Sequence, residues 1–470
     1  MLESHATEGA AAETAAAARR AALLAKGDRL LAAIDRAVAR QTSRILHHPD
    51  FQAMEARWRG LTLLLRAAGN APDVKVRILD ADWPELSRSM ERSAEFDQSR
   101  LFDLVYNEEF GMAGGEPFGL LVGDYALSHR PGPRGEDPVG TLGAVASVAA
   151  AAFCPFVAGA SPELLGLRDF ADLDRLPDVS KALLDPALER WRRLRTREDT
   201  RFVGLVAPRI LLRGPHAPAT RRRVDGFGFS EDGAAADGLL WGNGAFGFAA
   251  LAIGRFRESG WFADMRGAPQ DEDGGGLVPA LGPFDLGLES AGLAEQPAVE
   301  VRFTGAQEQA ISEEGLIPAA TTYLSSRVVF NSNPSLHRPQ AYDSPHADQN
   351  ARLAAMLQYV LCASRFAHYL KVILRDELGR LADAGSVRER IETWLAGYTL
   401  GNDDASPALR TRHPLRLAAV EVEELRGRPG AYSCQVRLQP HFQLDDVSTS
   451  FHLVAETLPA GAGATARAVA

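Results

Sequence analysis

The most suggestive constellation is Gly242-Asn243-Gly244-Ala245-Phe246-Gly247, a GxGxxG run with Asp264 downstream at a spacing suited to a ribose hydroxyl. In a dinucleotide site such glycines let the backbone approach a pyrophosphate where a helix opens, directly after a true strand. Here Ser230 to Gly238 reads as loop, and only Leu239-Leu240-Trp241 is left as strand. Phe246 and Phe248 also crowd a phosphate approach. Close backbone packing is the expectation, with dinucleotide binding as the enzyme alternative.

The other chemistry is thinner. His47 and His48 are adjacent, so on a helix they point about 100° apart and do not converge on a metal. Neither HExxH nor zinc-spaced Cys/His pairs occur. His368, within Arg365-Phe-Ala-His-Tyr-Leu-Lys371, reads as a structural histidine beside aromatics. Glu108 and Glu109 are chain neighbours, which do not face one another on a helix. Cys154, Cys362 and Cys434 lie far apart in apolar runs and read as buried free thiols in a reducing compartment. Arg190, Arg192, Arg193, Arg195 and Arg197 surround Trp191, and Arg221 to Arg223 form a second basic run. Basic residues around an aromatic can bind nucleic acid, but Glu189, Glu198 and Asp199 dilute the first run and favour ion pairs.

The elements that would carry these residues follow from periodicity. Residues 6 to 46 are Ala-rich, with Leu23, Leu30, Ile34, Val38 and Ile45 at helical spacing. Gly27-Asp28 is expected to split this stretch into two helices, and His47 to Asp50 to stop it, with Asp50 capping the next. That helix shows one apolar face: Phe51, Met54, Trp58, Leu61 and Leu65. Val74, Val76 and Ile78 alternate with Lys75 and Arg77, a half-buried strand signal. Leu120 to Asp124 and Phe202 to Val206 read as buried strands, and Thr141 to Ala152 as an apolar helix. Glycine-rich loops cover 225 to 244 and 267 to 287. Residues 348 to 379 read as one long helix and Val387 to Tyr398 as another. A hairpin follows, Leu417 to Glu424 and Ala431 to Leu438 around Gly427-Arg428-Pro429-Gly430, with Phe451, Leu453 and Ala455 as a third strand.

The 470 residues, at roughly 150 per domain, suggest two to four units. With 46% hydrophobic and 24% charged residues the chain is globular, and a net charge of −10 argues against a general nucleic-acid binder. The positive charge is nearly all arginine; the lysines are Lys26, Lys75, Lys181 and Lys371. The start, Met-Leu-Glu-Ser-His, lacks the basic region of a signal peptide, and no charge-free run reaches the ~20 apolar residues of a membrane span.

Several segments, taken together, resemble one family. Phe51-Gln-Ala-Met-Glu-Ala-Arg-Trp-Arg-Gly-Leu61 is similar to the opening of the type VI secretion contractile-sheath large subunit, the TssC/VipB family. The blocks Tyr106-Asn-Glu-Glu-Phe-Gly111 and Gly114-Gly-Glu-Pro-Phe-Gly-Leu-Leu-Val-Gly-Asp-Tyr125 resemble its most distinctive stretch. Arg201 to Leu205 with Pro208-Arg209, Leu240 to Asn243, Gly260-Trp261 with Arg266-Gly267, Arg365 to Lys371 and Pro440-His-Phe-Gln443 complete an ordered series over about residues 43 to 455.

The resemblance implies a mixed α/β (α+β) tail-sheath-like subunit of several domains. These are a helical extension (1–46), a sheath N-terminal and middle domain (47–350), and a C-terminal domain (351–470) of two helices and a small antiparallel sheet, similar to the phage baseplate-wedge fold. It implies a structural protein, not an enzyme, with no cofactor and no metal. Implied partners are a small sheath subunit of the TssB/VipA type, further copies in a helical lattice, an Hcp-type inner tube, a baseplate and a ClpV-type AAA+ recycling ATPase. Neither nucleic-acid binding nor membrane insertion is implied, and the setting is the bacterial cytoplasm within a membrane-anchored apparatus. Motif positions expected to serve packing or interfaces are Trp58, Arg59, Glu109, Gly114, Gly115, Asp124, Arg209, Trp241, Arg365, His368, Lys371 and His441. Of these, Trp58 and Trp241 are expected in the core. Gly114-Gly115 and Gly123 are expected in turns, and Arg59, Glu109, Asp124 and Lys371 in ion pairs or interface contacts. Two departures, a helical residue pattern over 1–42 and the block Pro208-Arg-Ile-Leu-Leu-Arg-Gly-Pro-His216 without its aromatic, suit a divergent paralogue with a capping, baseplate or regulatory role as the alternative.

Overall fold

A computed structural model of the chain describes residues 2–112, 114–175, 179–182, 184–216, 229, 231, 238–268, 274–281, 284, 297–322, 325–378, 384–402, 405–424, 432–441 and 451–456. Its first half runs α1 (Leu2–Leu46), α2 (Pro49–Ala68), α3 (Trp83–Arg92), α4 (Arg100–Phe102), a π-helical stretch (Asp103–Phe110), β1 (Leu121–Leu127), α5 (Pro138–Ala151), β2 (Phe156–Ala160), α6 (Val179–Ala182), α7 (Glu189–Arg195), β3 (Val203–Ala207) and β4 (Ile210–Arg213). There follow β5 (Leu240–Gly242), α8 (Gly244–Ser259), α9 (Gly305–Glu313), β6 (Leu316–Pro318), β7 (Ala320–Thr321) and β8 (Val328–Val329). The last part holds α10 (Pro345–Ala354), α11 (Leu357–Leu378), α12 (Ala384–Ala396), α13 (Pro407–Arg412), β9 (Leu415–Glu424), β10 (Tyr432–Pro440) and β11 (Phe451–Glu456).

The centre is a parallel sheet in the order β1-β2-β3-β6. Parallel sheets need cover on both faces, and their strands are correspondingly apolar throughout; β2 and β3 are wholly buried. Alternation along the strands assigns the faces. Phe156, Ala158, Val203 and Leu205 join the cluster that contains α5 and Phe366 of α11. Val157 and Val206 join the opposite cluster, built on α8 and α2. Both α5 and α8 are apolar nearly all round, the signature of a helix enclosed on every side. Helix α2 lies on α8 through Gly60, where a Cβ would enter the Phe246 ring, and through Leu63, Leu64 and Ala67.

Helices α11 and α12 pack with an antiparallel sheet, β11-β10-β9. Leu415, Val436 and Leu438 belong to the same cluster as α5, so no water-filled seam separates this unit from the parallel sheet. Trp261 stacks on Phe366 at 4.0 Å between centroids, with Tyr398 edge-on at 4.9 Å. The mixed helix-and-sheet class and the terminal helix-plus-sheet unit are as expected; the turn at 427–430 and Gly379 lie outside the described residues, as do much of the two glycine-rich loops.

Several local expectations are corrected. Helix α1 runs through Gly27 without a break; an interior glycine costs only about 1 kcal/mol relative to alanine, which the alanine-rich surroundings can carry. The N-cap of α2 is His48, not Asp50: Pro49 sits at the first position and the Asp50 N–H donates to the His48 ring at 3.3 Å. Residues 74 to 80 form neither helix nor strand and belong to no sheet among the described residues, and Ile78 is exposed. The long helix expected over 348–379 is two. Between them the Ser335 N–H donates to the Ala355 carbonyl at 2.9 Å and the Leu357 N–H to the Asn333 carbonyl at 2.9 Å. A distant loop thus takes the backbone groups that would have continued the helix.

Candidate functional site

The glycine run has a packing purpose. Strand β5 pairs antiparallel with β4, not in a parallel crossover unit. Asn243 then caps α8, its Oδ1 accepting from the Ala245 N–H at 2.9 Å. Its amide donates to the Tyr125 carbonyl at 3.0 Å, where β1 slips register between Gly123 and Ala126. A Cβ on Gly244 would lie 2.6 Å from Val206 Cγ1 and 2.8 Å from the Pro208 carbonyl. The approach a pyrophosphate would need is filled by the chain itself.

His47 and His48 diverge within the two-residue joint between α1 and α2. His48 caps α2, whereas His47 Nε2 meets Glu231 Oε1 at 2.7 Å. Glu231 is the middle of a relay. Its Oε2 accepts from Arg213 Nη1 at 2.9 Å and from the His216 N–H at 2.8 Å. Arg213 Nε donates to Glu55 Oε1 at 3.0 Å, and Arg59 Nε reaches the same oxygen at 2.7 Å. Side-chain exposure is 2% for Glu231 and 5% for Arg213. Burial pushes the Glu231 carboxyl up, but His216, His47 and Arg213 together hold it below the usual carboxylate range. Sequence reasoning missed this relay because its members stand up to 184 positions apart; the one hint was a charged Arg213 closing an apolar run.

The motif residues fall in separate places. Glu109 pairs with Arg77 and accepts from the Glu116 N–H at 2.8 Å. Gly114 has φ +83 and a Cβ on Gly115 would enter the Glu109 carbonyl, so this turn demands both glycines. The Glu116 N–H and then Arg77 hold the Glu109 carboxyl below its ordinary value. A lowered folded value means the stabilisation is complete above the ordinary glutamate range and fades as pH falls through the depressed value. Glu109→Gln is therefore expected to flatten the acid limb of stability against pH; urea unfolding across the acid range should show this, and an unaltered limb would refute it.

Asp124 lies 3.3 Å from Arg57; burial raises its carboxyl, with Arg57 and Asn243 opposing. Arg209 grips Glu300 with two nitrogens, one at 2.8 Å. Trp241 is half-buried beside β4. Arg365 lies over the Tyr369 ring at 4.5 Å and donates to its hydroxyl. His368 donates to the Ala152 carbonyl at 3.0 Å, and burial pushes its pKa down to about 4. The backbone N–H of His441 donates to Pro414 at 3.0 Å. Two expectations fail and a third is half met: Gly123 lies within β1 and not in a turn, Trp58 is outside the core, and for Lys371 only the ion-pair half falls away. Lys371 has no carboxylate partner among the described residues; its ammonium sits 3.3 Å from the Phe110 ring centre, and burial lowers its pKa to about 8. Trp58 is not core but 64% exposed.

That exposure is part of a pattern. Met54, Trp58 and Leu65 line the outer face of α2, while Gly60, Leu63, Leu64 and Ala67 take the inner one. On α1, Leu24, Leu31, Val38 and Ile45 recur every seven residues and are likewise exposed. A cavity of about 560 Å³, lined by Gln41, Arg44, Ile45, His48, Asp50, Phe51 and Met54, joins the two rows. Around the α1 row stand Arg19, Arg20, Lys26, Arg29, Arg36, Arg40 and Arg44, against Asp28 and Asp35. The arginines near Trp191 are engaged within the chain: Arg190 with Asp137, Arg192 and Arg193 with Glu189, Arg195 with Glu314, and Arg197 with Asp199. Arg221 to Arg223 lie outside the described residues. Among the described residues no group of three or more His, Cys, Asp or Glu could hold a metal ion, and no helix is long and apolar enough to cross a membrane.

A second surface is the outer edge of β9. Leu415 bonds to Tyr398 and Leu400, and from Leu417 to Glu424 the backbone pairing among the described residues is with β10.

Comparison with known proteins places these surfaces in context. Residues 28–337 match the tail sheath N-terminal domain of the EvpB/VC_A0108 family, and residues 346–457 its tail sheath gpW/gp25-like domain. The chain is 34% identical over 432 residues to the type VI secretion system sheath protein TssC1 of Pseudomonas aeruginosa, covering 91% of this chain and 85% of that one. A solved sheath tail protein from Desulfitobacterium hafniense aligns at a TM-score of 0.29 and 9% identity, over 68% of this chain and 60% of that one. With both sheath domains matched in order and the identity spread along nearly the whole length, the chain belongs to the tail-sheath family of type VI secretion and is a structural subunit of the contractile sheath, of the large TssC/VipB kind.

Proposed function

We propose that this subunit acts by contact alone, without catalysis, and that the exposed apolar row on α1 and α2 is where a small sheath subunit docks. The carrying observation is that row. Seven large apolar side chains at helical spacing face outward on a chain with an ample core, which suits an amphipathic helix laid along them. The basic flanks of α1 favour an acidic partner face. The outer edge of β9 offers main-chain groups to a strand from a neighbouring copy, so that main-chain hydrogen bonds link successive subunits.

Stacked heterodimers then form a head-to-tail helical tube around an Hcp-type inner tube, starting at a baseplate, in the bacterial cytoplasm. The extended tube is a kinetically trapped state, and firing is a rigid-body repacking of interfaces that consumes no nucleotide at that moment. A ClpV-type AAA+ ATPase recycles the contracted form. The domain limits 1–46, 47–350 and 351–470 and the packing or interface roles of the twelve motif residues belong to this reading. A paralogue with a capping, baseplate or regulatory role is the second reading, supported by residues 2–46 being helical throughout, which leaves no extended strand there to lend to a neighbour.

Co-expression with the small subunit and negative-stain microscopy tests the proposal. Tubes are expected from the parent, whereas Met54→Lys, Trp58→Lys and Leu65→Lys together are expected to abolish them and the heterocomplex. The free energy of unfolding should change by no more than about 0.5 kcal/mol per substitution, as for other surface changes. Tubes from the triple variant would remove the α2 row from the interface. Complexes that form without tubes would favour the second reading.

A further inference from the structure

The geometry points to a conformational latch at the root of α1: Glu231, held by Arg213, catches the His47 ring and fixes the direction in which α1 leaves the body. This goes beyond assembly, since it concerns the free subunit.

Three observations carry it. First, the described side chains of α1 lie mostly in solvent. From Ala16 to Ile34 every residue but Gly27 is exposed, and Ser43, in the last turn, is the buried polar residue of this helix. Second, the joint is short. Leu46 ends α1 and Pro49 begins α2; the proline ring excludes helical backbone at His48, whose ψ is 130°. The chain therefore turns at His47 and His48, whose backbone bonds run back to Ser43 and Ile45 of α1 and on to Gln52 of α2, and the His47 side chain adds a tie from the joint to the body. Third, the catch is built into the body. Arg213 Nη1 donates to the Gly214 carbonyl at 2.9 Å and the Gly238 carbonyl at 3.2 Å as well as to Glu231. One guanidinium thus ties both ends of the β4–β5 connection and presents Glu231 to the joint, while its Nε holds Glu55 of α2.

A carboxylate that accepts from Arg213 and His216 faces His47 Nε2 at 2.7 Å, so that nitrogen carries the proton. Removing the ring leaves the partners of Arg213 in place. The fold should stand while α1 loses its bearing. That separates a latch from a merely stabilising contact.

The test places spin labels at Ala33→Cys on α1 and Thr62→Cys on α2 of the full chain and reads their separation by dipolar spectroscopy; Cys154, Cys362 and Cys434 are buried and stay unlabelled. The parent should give one narrow distance. His47→Ala is expected to broaden it about twofold while lowering the urea unfolding midpoint far less than Arg213→Met does. His47→Gln, whose amide can donate to the same carboxylate, should restore most of the narrowness. Equal widths for His47→Ala and the parent would overturn the latch, and so would a glutamine variant as broad as the alanine one. Neither result depends on the small subunit, so a failed latch and a failed docking row are told apart.

Discussion

Arg213→Met is expected to lower the free energy of unfolding by about 3–5 kcal/mol, the cost of stranding buried charges when one partner of an ion pair is removed. Arg213 and Glu231 are 5% and 2% exposed, and Glu55 is 14% exposed. Without the guanidinium two carboxylates face each other across a space closed to water. Arg59, 40% exposed, remains on Glu55, while Glu231 keeps only His47 and the His216 N–H. The physical cause predicts its own remedy. Adding Glu231→Met and Glu55→Gln to Arg213→Met should recover most of the loss, because an apolar replacement of a whole buried ion group is often neutral. Urea unfolding of the three chains decides it: a single variant as stable as the parent would mean that the relay is solvated in solution.

Trp261→Ala should cost a similar amount, about 3–5 kcal/mol, as for other large aromatics cut from a core. The indole is 4% exposed. It stacks on Phe366 at an interplanar angle of 13° and meets Tyr369 and Tyr398 edge-on. It stands just after α8, and the three rings come from α11 and the turn after α12. The cavity would therefore open between the parallel-sheet body and the terminal helices. If denaturation stays one transition, followed by both circular dichroism and tyrosine fluorescence, the two parts unfold as one body, as the shared cluster through Leu415 and Val436 requires. A loss below about 1 kcal/mol would show that the rings close over the gap.

What the residue pattern disclosed depended on whether its cause was local. Strand β3, helix α5 and the β9–β10 hairpin with β11 were legible because each is a short apolar or alternating run whose burial follows from its own composition. The break between α10 and α11 was not, since its cause is the loop around Asn333 and Ser335. Residues 74 to 78 do alternate, but the alternation answers to Glu109 and Glu116, which take Arg77 and Lys75, and not to a neighbouring strand. Helix α2 is the most instructive miss. Its large apolar residues form a true stripe, yet Gly60, Ala67 and Ala68 turn inward because α8 approaches closely. Periodicity reveals a stripe but not which side meets the core. The family resemblance rested on the order of many motifs and so survived these local errors, whereas Trp58 was misassigned with the stripe, and Lys371 lost the ion-pair half of its expectation because an aromatic bed can replace a carboxylate.

Helix α1 has a mechanical consequence. Its 45 residues, at about 1.5 Å each, make a rod of about 68 Å. A turn of about 10° at the base sweeps its far end through about 12 Å, about the width of a helix. Sub-ångström play at the pivot is magnified in proportion to radius, and a force applied at the tip returns to the body with the same gain as torque.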